Sequence, residues 1–318
     1  MTDRIPGLVY LFPGQGSQVA GMGKELALNH EVARRTFEEA DEALGYRLSE
    51  LCFEGPEEKL RLTEITQPAI LAVSTAAARV LAEAGISPSF AAGHSLGEYS
   101  AHVAAGSIGF ADAIRTVRNR GKYMQEAVAV GAGAMAAILM LAVEKIREAC
   151  AAAVSEFPGE VCEAANINSP GQVVISGSKA AVERAAELCK QMGAKRAIML
   201  PVSAPFHCAL MKPAQERLAA DLQALTFNAP AIPVTCNIEA APVCDAERSR
   251  ETLIRQVTGT VQWESSMRAL IAQGATQFLE AGPGSVLTGL LRQIDKAQSC
   301  VNVENEASLE KAKALLVK

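Results

Sequence analysis

Gly93-His94-Ser95-Leu96-Gly97 is the stretch from which the fold of this chain can be predicted. It has the pattern G-x-S-x-G, follows the short apolar run 90–92, and leads into a helix-like segment, 98–105, that stops at Gly106. A serine in this context lies on a sharp turn between a strand and a helix, with its hydroxyl exposed above a sheet at the positive end of the helix. The flanking glycines are needed because a Cβ there would crowd the neighbouring backbone. We therefore predict an α/β fold with Ser95 as nucleophile; the alternative is a serine that only caps the helix.

Composition narrows the class of protein. The chain has 318 residues, of which 49% are hydrophobic and 4% aromatic, enough for a large α/β core. The net charge of −5 argues against a nucleic-acid partner. No apolar run approaches the roughly 18 residues of a membrane span, and the first residues lack a signal pattern. We therefore expect a soluble cytoplasmic protein without a membrane partner. The eight cysteines form no C-x-x-C, so we expect mostly buried, reduced thiols and no metal site.

Strand and helix patterns alternate along most of the chain. A buried strand is predicted at 8–12, and it ends in a loop, 13–18, that matches neither a P-loop nor G-x-G-x-x-G. Helices are predicted at 31–44, at 110–128, and at 66–84, where Thr66 is the expected cap and Pro68 suits the first turn. After residue 202, strands near 234–237, 278–279 and 300–303 alternate with helices near 214–222, 248–257, 263, 286 and 308–316. This alternation predicts a parallel sheet covered on both faces.

A different pattern occupies the middle of the chain. Between residues 134 and 200 the order of predicted elements is β-α-β-β-α-β, which is a ferredoxin-like unit. Candidate hinges lie near Gly131, Gly133 and Pro201. We therefore predict a large α/β-hydrolase-like domain from residues 1–130 and 202–318, with residues 131–201 as an inserted ferredoxin-like subdomain.

Arg120 lies on the edge of the apolar stripe of the helix predicted at 110–128. No acidic residue stands three or four positions away to pair with it. An arginine directed toward the interior without a local partner is either matched by a distant carboxylate or binds an anionic ligand.

Four histidines compete for the role of base to Ser95. His30 is expected to be solvated between polar helices, His94 adjoins the serine where side chains diverge, and His102 lies about two helical turns farther along. His207 follows a strand and a proline, at the sheet edge where sites of parallel sheets gather, so we select it. Cys208, a rival nucleophile, should point away from it in an extended segment. No carboxylate between serine and histidine stands out, which favours a dyad whose histidine is oriented by a carbonyl.

Several motifs together resemble a known family over nearly the whole chain. They are LFPGQGSQ at 11–18, GHSLGEY at 93–99, RGK at 120–122, NSPGQ at 168–172, FH at 206–207, VQW at 261–263 and EAGPG at 280–284. This set resembles the malonyl-CoA:acyl carrier protein transacylases of bacterial fatty acid synthesis. The resemblance implies a ping-pong transfer of malonyl from coenzyme A to the phosphopantetheine thiol of acyl carrier protein, with no cofactor and a monomeric enzyme.

The resemblance also assigns roles to residues of this chain. Ser95 would carry the malonyl group, His207 would act as base and acid, and Arg120 would hold the malonyl carboxylate. The backbone N–H groups of Gln15 and Leu96 would form the oxyanion hole, and the carbonyl of Gln256 would orient His207.

Phe206 is the position where this chain departs from many fatty-acid members of the family, which carry serine there. Relatives that select methylmalonyl often have that serine together with glutamine after the nucleophile. A bulky Phe206 leaves little room for an α-methyl group and is compatible with malonyl.

Three alternatives stay open from the sequence. A malonyltransferase that serves a polyketide synthase would have the same site. An esterase of the hydrolase superfamily would need a triad carboxylate and no Arg120. A catalytically silent binding module would have lost Ser95 or His207, and both are present. The carrier-docking surface is not predictable; Lys122, Lys195 and Arg196 are candidates.

Overall fold

Two β-sheets organise the computed structural model, which describes residues 4–316. The larger has the strand order β10-β9-β1-β2-β7-β8, and the smaller has the order β4-β5-β3-β6. The strands are Leu8–Phe12 (β1), Phe90–Gly93 (β2), Gly133–Leu139 (β3), Cys162–Ser169 (β4), Gln172–Ser178 (β5), Arg196–Met199 (β6), Val234–Thr235 (β7), Pro242–Val243 (β8), Gln277–Ala281 (β9) and Ser299–Val303 (β10).

Fourteen α-helices within residues 4–316 cover these sheets. They are Lys24–Asn29 (α1), Glu31–Leu44 (α2), Leu48–Glu54 (α3), Glu57–Leu60 (α4), Thr63–Glu83 (α5), Gly97–Ala104 (α6), Phe110–Glu126 (α7), Val143–Glu156 (α8), Lys179–Gln191 (α9), Lys212–Ala224 (α10), Ala246–Gln256 (α11), Trp263–Ala272 (α12), Val286–Ile294 (α13) and Glu306–Leu316 (α14).

β1 shows why the larger sheet is covered on both faces. All five of its residues are buried, and successive side chains point to opposite sides of a strand. Leu8, Tyr10 and Phe12 enter the main core with α2, α5 and α7, whereas Val9 and Leu11 enter a second core with α12 and α13. The strand pairings confirm the predicted parallel sheet for β1, β2, β7, β9 and β10.

The smaller sheet has the predicted β-α-β-β-α-β order, formed by β3, α8, β4, β5, α9 and β6, and its strands are antiparallel. Its two faces have different neighbours. Ala136 and Ile138 of β3 pack beneath α8 and α9, whereas Met135 and Ala137 join the core of the larger unit. The two units are also joined through backbone bonds between β4 and Val261. The small subdomain thus forms a wall beside the larger sheet.

Three details differ from the sequence prediction. α5 begins at Thr63, so Thr66 is not its cap. The Thr66 hydroxyl instead donates to the carbonyls of Leu60 and Leu62, and Pro68 lies inside the helix, where it removes one backbone hydrogen bond. The two-residue strand β8, which pairs antiparallel with β7, was not predicted, because so short a strand carries no periodic pattern.

α5, with 21 residues, is the longest helix among the described residues. By length and composition it could cross a membrane, with a mean hydropathy of 1.3, but 83% of the apolar window is buried inside the protein. Its composition is that of a core helix packed against α2 and α7. The eight cysteines are free thiols, and six of them are buried, as predicted.

Gly121 sets the distance between α7 and α5. A Cβ at Gly121 would lie 2.5 Å from the Thr63 carbonyl oxygen and 2.8 Å from the Cα of Glu64. Because both contacts are with backbone atoms, an added Cβ could be accommodated only if α5 and α7 moved apart. The residue before it, Arg120, is thereby brought close to the start of α5.

We predict that Gly121→Ala destabilises the protein by about 1–3 kcal/mol through overpacking. Gly289→Ala, in α13, is the matched control, since nothing lies within 4 Å of the added Cβ. Relief of backbone entropy should make the control neutral or up to about 1 kcal/mol more stable. Urea unfolding of both variants checks this; equal stability of Gly121→Ala and wild type would contradict the close approach.

Candidate active site

Ser95 lies on a strained turn at the end of β2. Its φ of 52° is in the left-handed region, which residues with a Cβ rarely adopt. The turn is as tight as the sequence predicted: a Cβ at Gly93 would lie 1.9 Å from the Gly97 carbonyl oxygen, and one at Gly97 would lie 2.0 Å from that of Phe12. Backbone strain of this kind is characteristic of functional sites.

His207 contacts Ser95 directly. Its Nε2 lies 2.7 Å from Ser95 Oγ, and its Nδ1 lies 2.9 Å from the carbonyl oxygen of Gln256. A carbonyl can only accept, so Nδ1 carries the proton and Nε2 is free to accept from the serine hydroxyl. Burial, reinforced by the nearby Arg120 charge, lowers the pKa of His207 to about 3. The imidazole is therefore neutral at pH 7, and its Nε2 lone pair is available to accept from the serine hydroxyl.

Arg120 is buried beside the same hydroxyl. Its Nη2 donates to Ser95 Oγ at 3.1 Å and to Gln256 Oε1 at 2.9 Å, and its Nη1 donates to Gln67 Oε1 at 2.8 Å. Its Nε has no hydrogen-bond partner among the described residues. All of these partners are neutral, and burial lowers the pKa of the guanidinium. A buried cation held only by neutral groups is prepared for an anion.

Gln256 links the three groups. Besides its contacts to His207 and Arg120, its Nε2 donates to the Ser95 carbonyl at 2.8 Å and to Glu98 Oε2 at 2.7 Å. Glu98 is fully buried, and burial raises its pKa to about 7. The family resemblance implies a role for the Gln256 carbonyl but none for this side chain or for Glu98, whose only signal in the sequence is its position directly after the second glycine of the turn.

The backbone N–H groups of Gln15 and Leu96 have no acceptor among the described residues. Both residues line the same pocket as Ser95. The N–H of Ser95 itself is engaged, since it donates to Asn237 Oδ1 at 2.7 Å. Free backbone donors beside a nucleophile have the chemistry of an oxyanion hole.

The pocket above Ser95 has a volume of about 700 Å³ and lies between the two units. The larger unit contributes the 14–18 loop, and the smaller sheet contributes Met135, Asn166, Asn168 and Val174. Within residues 4–316 the lining includes Arg61 and Arg120 but no carboxylate, so the pocket favours an anionic ligand.

The remaining histidines do not contact Ser95 Oγ. His94 Nε2 lies 2.8 Å from Asn168 Oδ1, and His102 is buried without a hydrogen-bond partner among the described residues. The prediction that His30 is solvated was wrong: His30 is half-buried, with Nε2 2.6 Å from Glu306 Oε1. Cys208 is buried with its thiol donating to the Pro205 carbonyl.

Comparison with known proteins identifies the family. Residues 9–313 match the acyl transferase domain family. The malonyl CoA-acyl carrier protein transacylase of Escherichia coli strain K12 is 51% identical over 286 residues, covering 90% of this chain and 92% of that protein. That of Bacillus subtilis strain 168 is 48% identical over 305 residues, covering 96% of both. This chain belongs to the malonyl-CoA:acyl carrier protein transacylase family.

Solved structures of this family have the same fold. An acyl carrier protein S-malonyltransferase from Vibrio cholerae gives a TM-score of 0.93 at 50% identity, covering 96% of this chain and 99% of that one. A malonyl-transacylase in complex with its type II PKS acyl-carrier protein gives 0.93 at 49% identity, covering 96% and 98%. The predicted α/β fold with an inserted subdomain is confirmed, and the chain is an acyltransferase of this family.

Phe206 lies in the pocket wall next to His207 and is 9% exposed. Leu96, Met124 and Val174 line the same pocket. Apolar side chains therefore narrow the space around the acyl position, although the acyl preference stays a prediction.

His102 provides a test of the electrostatics behind the site. Burial lowers the pKa of His102 in the folded protein to about 3, whereas its pKa in the unfolded chain is near 6.5. At a pH between these two values the unfolded chain binds a proton that the folded protein does not bind. Its stabilising contribution is full above pH 6.5 and is lost as pH falls toward 3, at up to about 1.4 kcal/mol per pH unit.

We predict that His102→Leu loses less stability than wild type between pH 7 and pH 5. Urea unfolding at both pH values measures the difference between the two proteins, which removes the effects of all other titrating groups. Parallel pH dependences would show that His102 is not a buried neutral imidazole.

Proposed function

We propose that this enzyme transfers malonyl from coenzyme A to the phosphopantetheine thiol of acyl carrier protein, in fatty acid synthesis, by a ping-pong Ser–His mechanism. The observation that carries the proposal is the position of Ser95 Oγ, 2.7 Å from His207 Nε2 and 3.1 Å from Arg120 Nη2. A nucleophile is thus in contact with its base and with a buried cation.

The acylation step follows from this arrangement. His207 Nε2 takes the hydroxyl proton as Ser95 Oγ attacks the thioester carbonyl, and the negative charge develops on the carbonyl oxygen. The N–H groups of Gln15 and Leu96 stabilise that oxyanion. When the intermediate collapses, the carbon–sulfur bond breaks, and the departing thiolate takes the proton from His207. The product is a malonyl ester on Ser95.

The second half-reaction reverses these proton transfers. The carrier thiol gives its proton to His207 and attacks the ester carbonyl. The carbon–oxygen bond then breaks, and Ser95 recovers the proton. Gln256 stabilises the imidazolium formed in both halves, because its carbonyl accepts from Nδ1–H.

Arg120 supports malonyl as the acyl group. In a malonyl thioester a single methylene separates the reacting carbonyl from the carboxylate. A guanidinium that contacts the nucleophile itself is therefore within reach of a carboxylate that only one methylene separates from the carbonyl carbon attacked by Ser95 Oγ. It would bind that carboxylate in place of the serine hydroxyl. A longer diacid would project its charge past this point.

The carrier protein of a polyketide synthase is a second candidate for the acceptor of the malonyl group. One structural relative, at 49% identity, is the malonyl-transacylase solved with a type II PKS acyl-carrier protein, so service to a polyketide synthase has comparable support. Competition between the two carrier types for one malonyl-enzyme distinguishes these functions. We further propose a monomer without a metal or cofactor, because one chain supplies all the residues that act in the steps above. A cytoplasmic location is proposed as well.

We predict that brief mixing with malonyl-CoA adds one malonyl group to wild type and none to Ser95→Ala, as measured by intact-protein mass spectrometry. Added acyl carrier protein should remove the group. Ser100→Ala, a buried serine of α6 away from the pocket, is the matched control and should be labelled like wild type. An adduct that persists in Ser95→Ala would move the nucleophile elsewhere.

A further inference from the structure

The backbone of Ser95 requires an external support. Its left-handed φ of 52° is unfavourable for a residue with a Cβ. The chain reaches this conformation directly after β2, where the backbone ladder to β7 stops: the last paired residues are Ala92 and Thr235. Beyond that point, the Gly93 carbonyl and the Ser95 N–H, which lie on either side of His94, have no residue of β7 to bond to.

Asn237, two residues past the end of β7, supplies the missing partners with its side chain. Its Nδ2 donates to the Gly93 carbonyl at 2.7 Å, and its Oδ1 accepts from the Ser95 N–H at 2.7 Å. One amide thus bridges the residues before and after His94. It continues the ladder for one more step while the main chain turns away.

Asn237 is itself fixed at every polar group. Its N–H donates to Glu98 Oε2 at 3.1 Å, and its carbonyl accepts from the Gln262 N–H at 2.8 Å. The side chain is 1% exposed, so water cannot replace these bonds. Glu98 also accepts from Gln256, whose Nε2 bonds the Ser95 carbonyl. Both peptide groups of Ser95 are therefore held by the side chains of two residues, Asn237 and Gln256, and both residues also donate to one buried carboxylate, Asn237 through its backbone N–H.

We propose that Asn237 is a positioning residue for the nucleophile: its amide holds Ser95 in the left-handed conformation that directs Oγ to His207. The same bond occupies the Ser95 N–H, which therefore does not compete with the N–H groups of Gln15 and Leu96 for the oxyanion. The inference rests on the proposed function only in taking Ser95 as the nucleophile.

Two variants separate the parts of this role. Asn237→Asp keeps the size of the side chain and an acceptor for the Ser95 N–H, but it loses the donor to Gly93. Asn237→Ala removes both bonds. Cys236→Ala, which removes a buried group from the neighbouring residue without touching Ser95, is the control for general destabilisation.

The experiment measures how fast Ser95 reacts with a fluorophosphonate, which carries neither a carboxylate nor coenzyme A, alongside malonyl transfer and urea unfolding. We expect labelling and kcat to fall about 100-fold in both Asn237 variants, because misplacement of a reacting atom by about 1 Å has an effect of this size. The KM for malonyl-CoA should stay within about threefold, since Asn237 does not contact Arg120. Cys236→Ala should label like wild type.

The outcomes are separable. Folded Asn237 variants that label at the wild-type rate would overturn the inference, and so would equal slowing in Cys236→Ala. If Asn237→Ala does not fold, the labelling rate of Asn237→Asp alone decides whether Asn237 positions Ser95. If wild type is labelled by the fluorophosphonate but not by malonyl-CoA, the proposed malonyl transfer fails, while the labelling rates still test Asn237.

Discussion

The buried guanidinium of Arg120 is the constraint on which the site depends. A cation removed from water must be compensated, yet its hydrogen bonds go only to two neutral amides and a hydroxyl among the described residues. Those partners come from α5, α11 and the turn after β2, so a single side chain fixes the relative positions of three elements. Gly121 makes this possible, because its lack of a Cβ lets α7 approach the start of α5. The incomplete compensation is also what gives the pocket its preference for an anion.

The rest of the architecture supplies rigidity and enclosure. The parallel sheet brings the end of β2 beside the segment after β7, and Asn237 joins them where the backbone ladder stops. The small sheet packs one face against the main core and so closes the pocket from the side. Catalytic groups at the carboxyl ends of parallel strands are a general consequence of this topology. The chemistry is thus concentrated where the sheet can position it.

Much of this was predictable from the sequence, for physical reasons that also set the limits. The contact of Ser95 with His207 is predictable because the turn at Ser95 requires glycine at two positions and because only four histidines compete. Arg120 was recognised because it lacks a local partner. The supports were not predictable: Gln67 and Asn237 are ordinary polar residues, and Asn237 meets Ser95 across 142 positions of sequence. The predicted start of α5 was wrong because the Thr66 hydroxyl donates back to the carbonyls of Leu60 and Leu62, which precede the helix, and does not cap it.

The central claim, that Arg120 selects an acyl group bearing a carboxylate, is tested most directly by Ser95 acylation rates with malonyl-CoA and acetyl-CoA. We predict that Arg120→Ala lowers the malonyl rate by about 10- to 100-fold, the worth of a hydrogen bond to a charged group, and affects the acetyl rate much less. Arg115→Ala, on the exposed face of the same helix, should leave both rates unchanged. An equal loss of acylation rate with malonyl-CoA and with acetyl-CoA would contradict the claim, because Arg120 would then act on the nucleophile and not on the carboxylate.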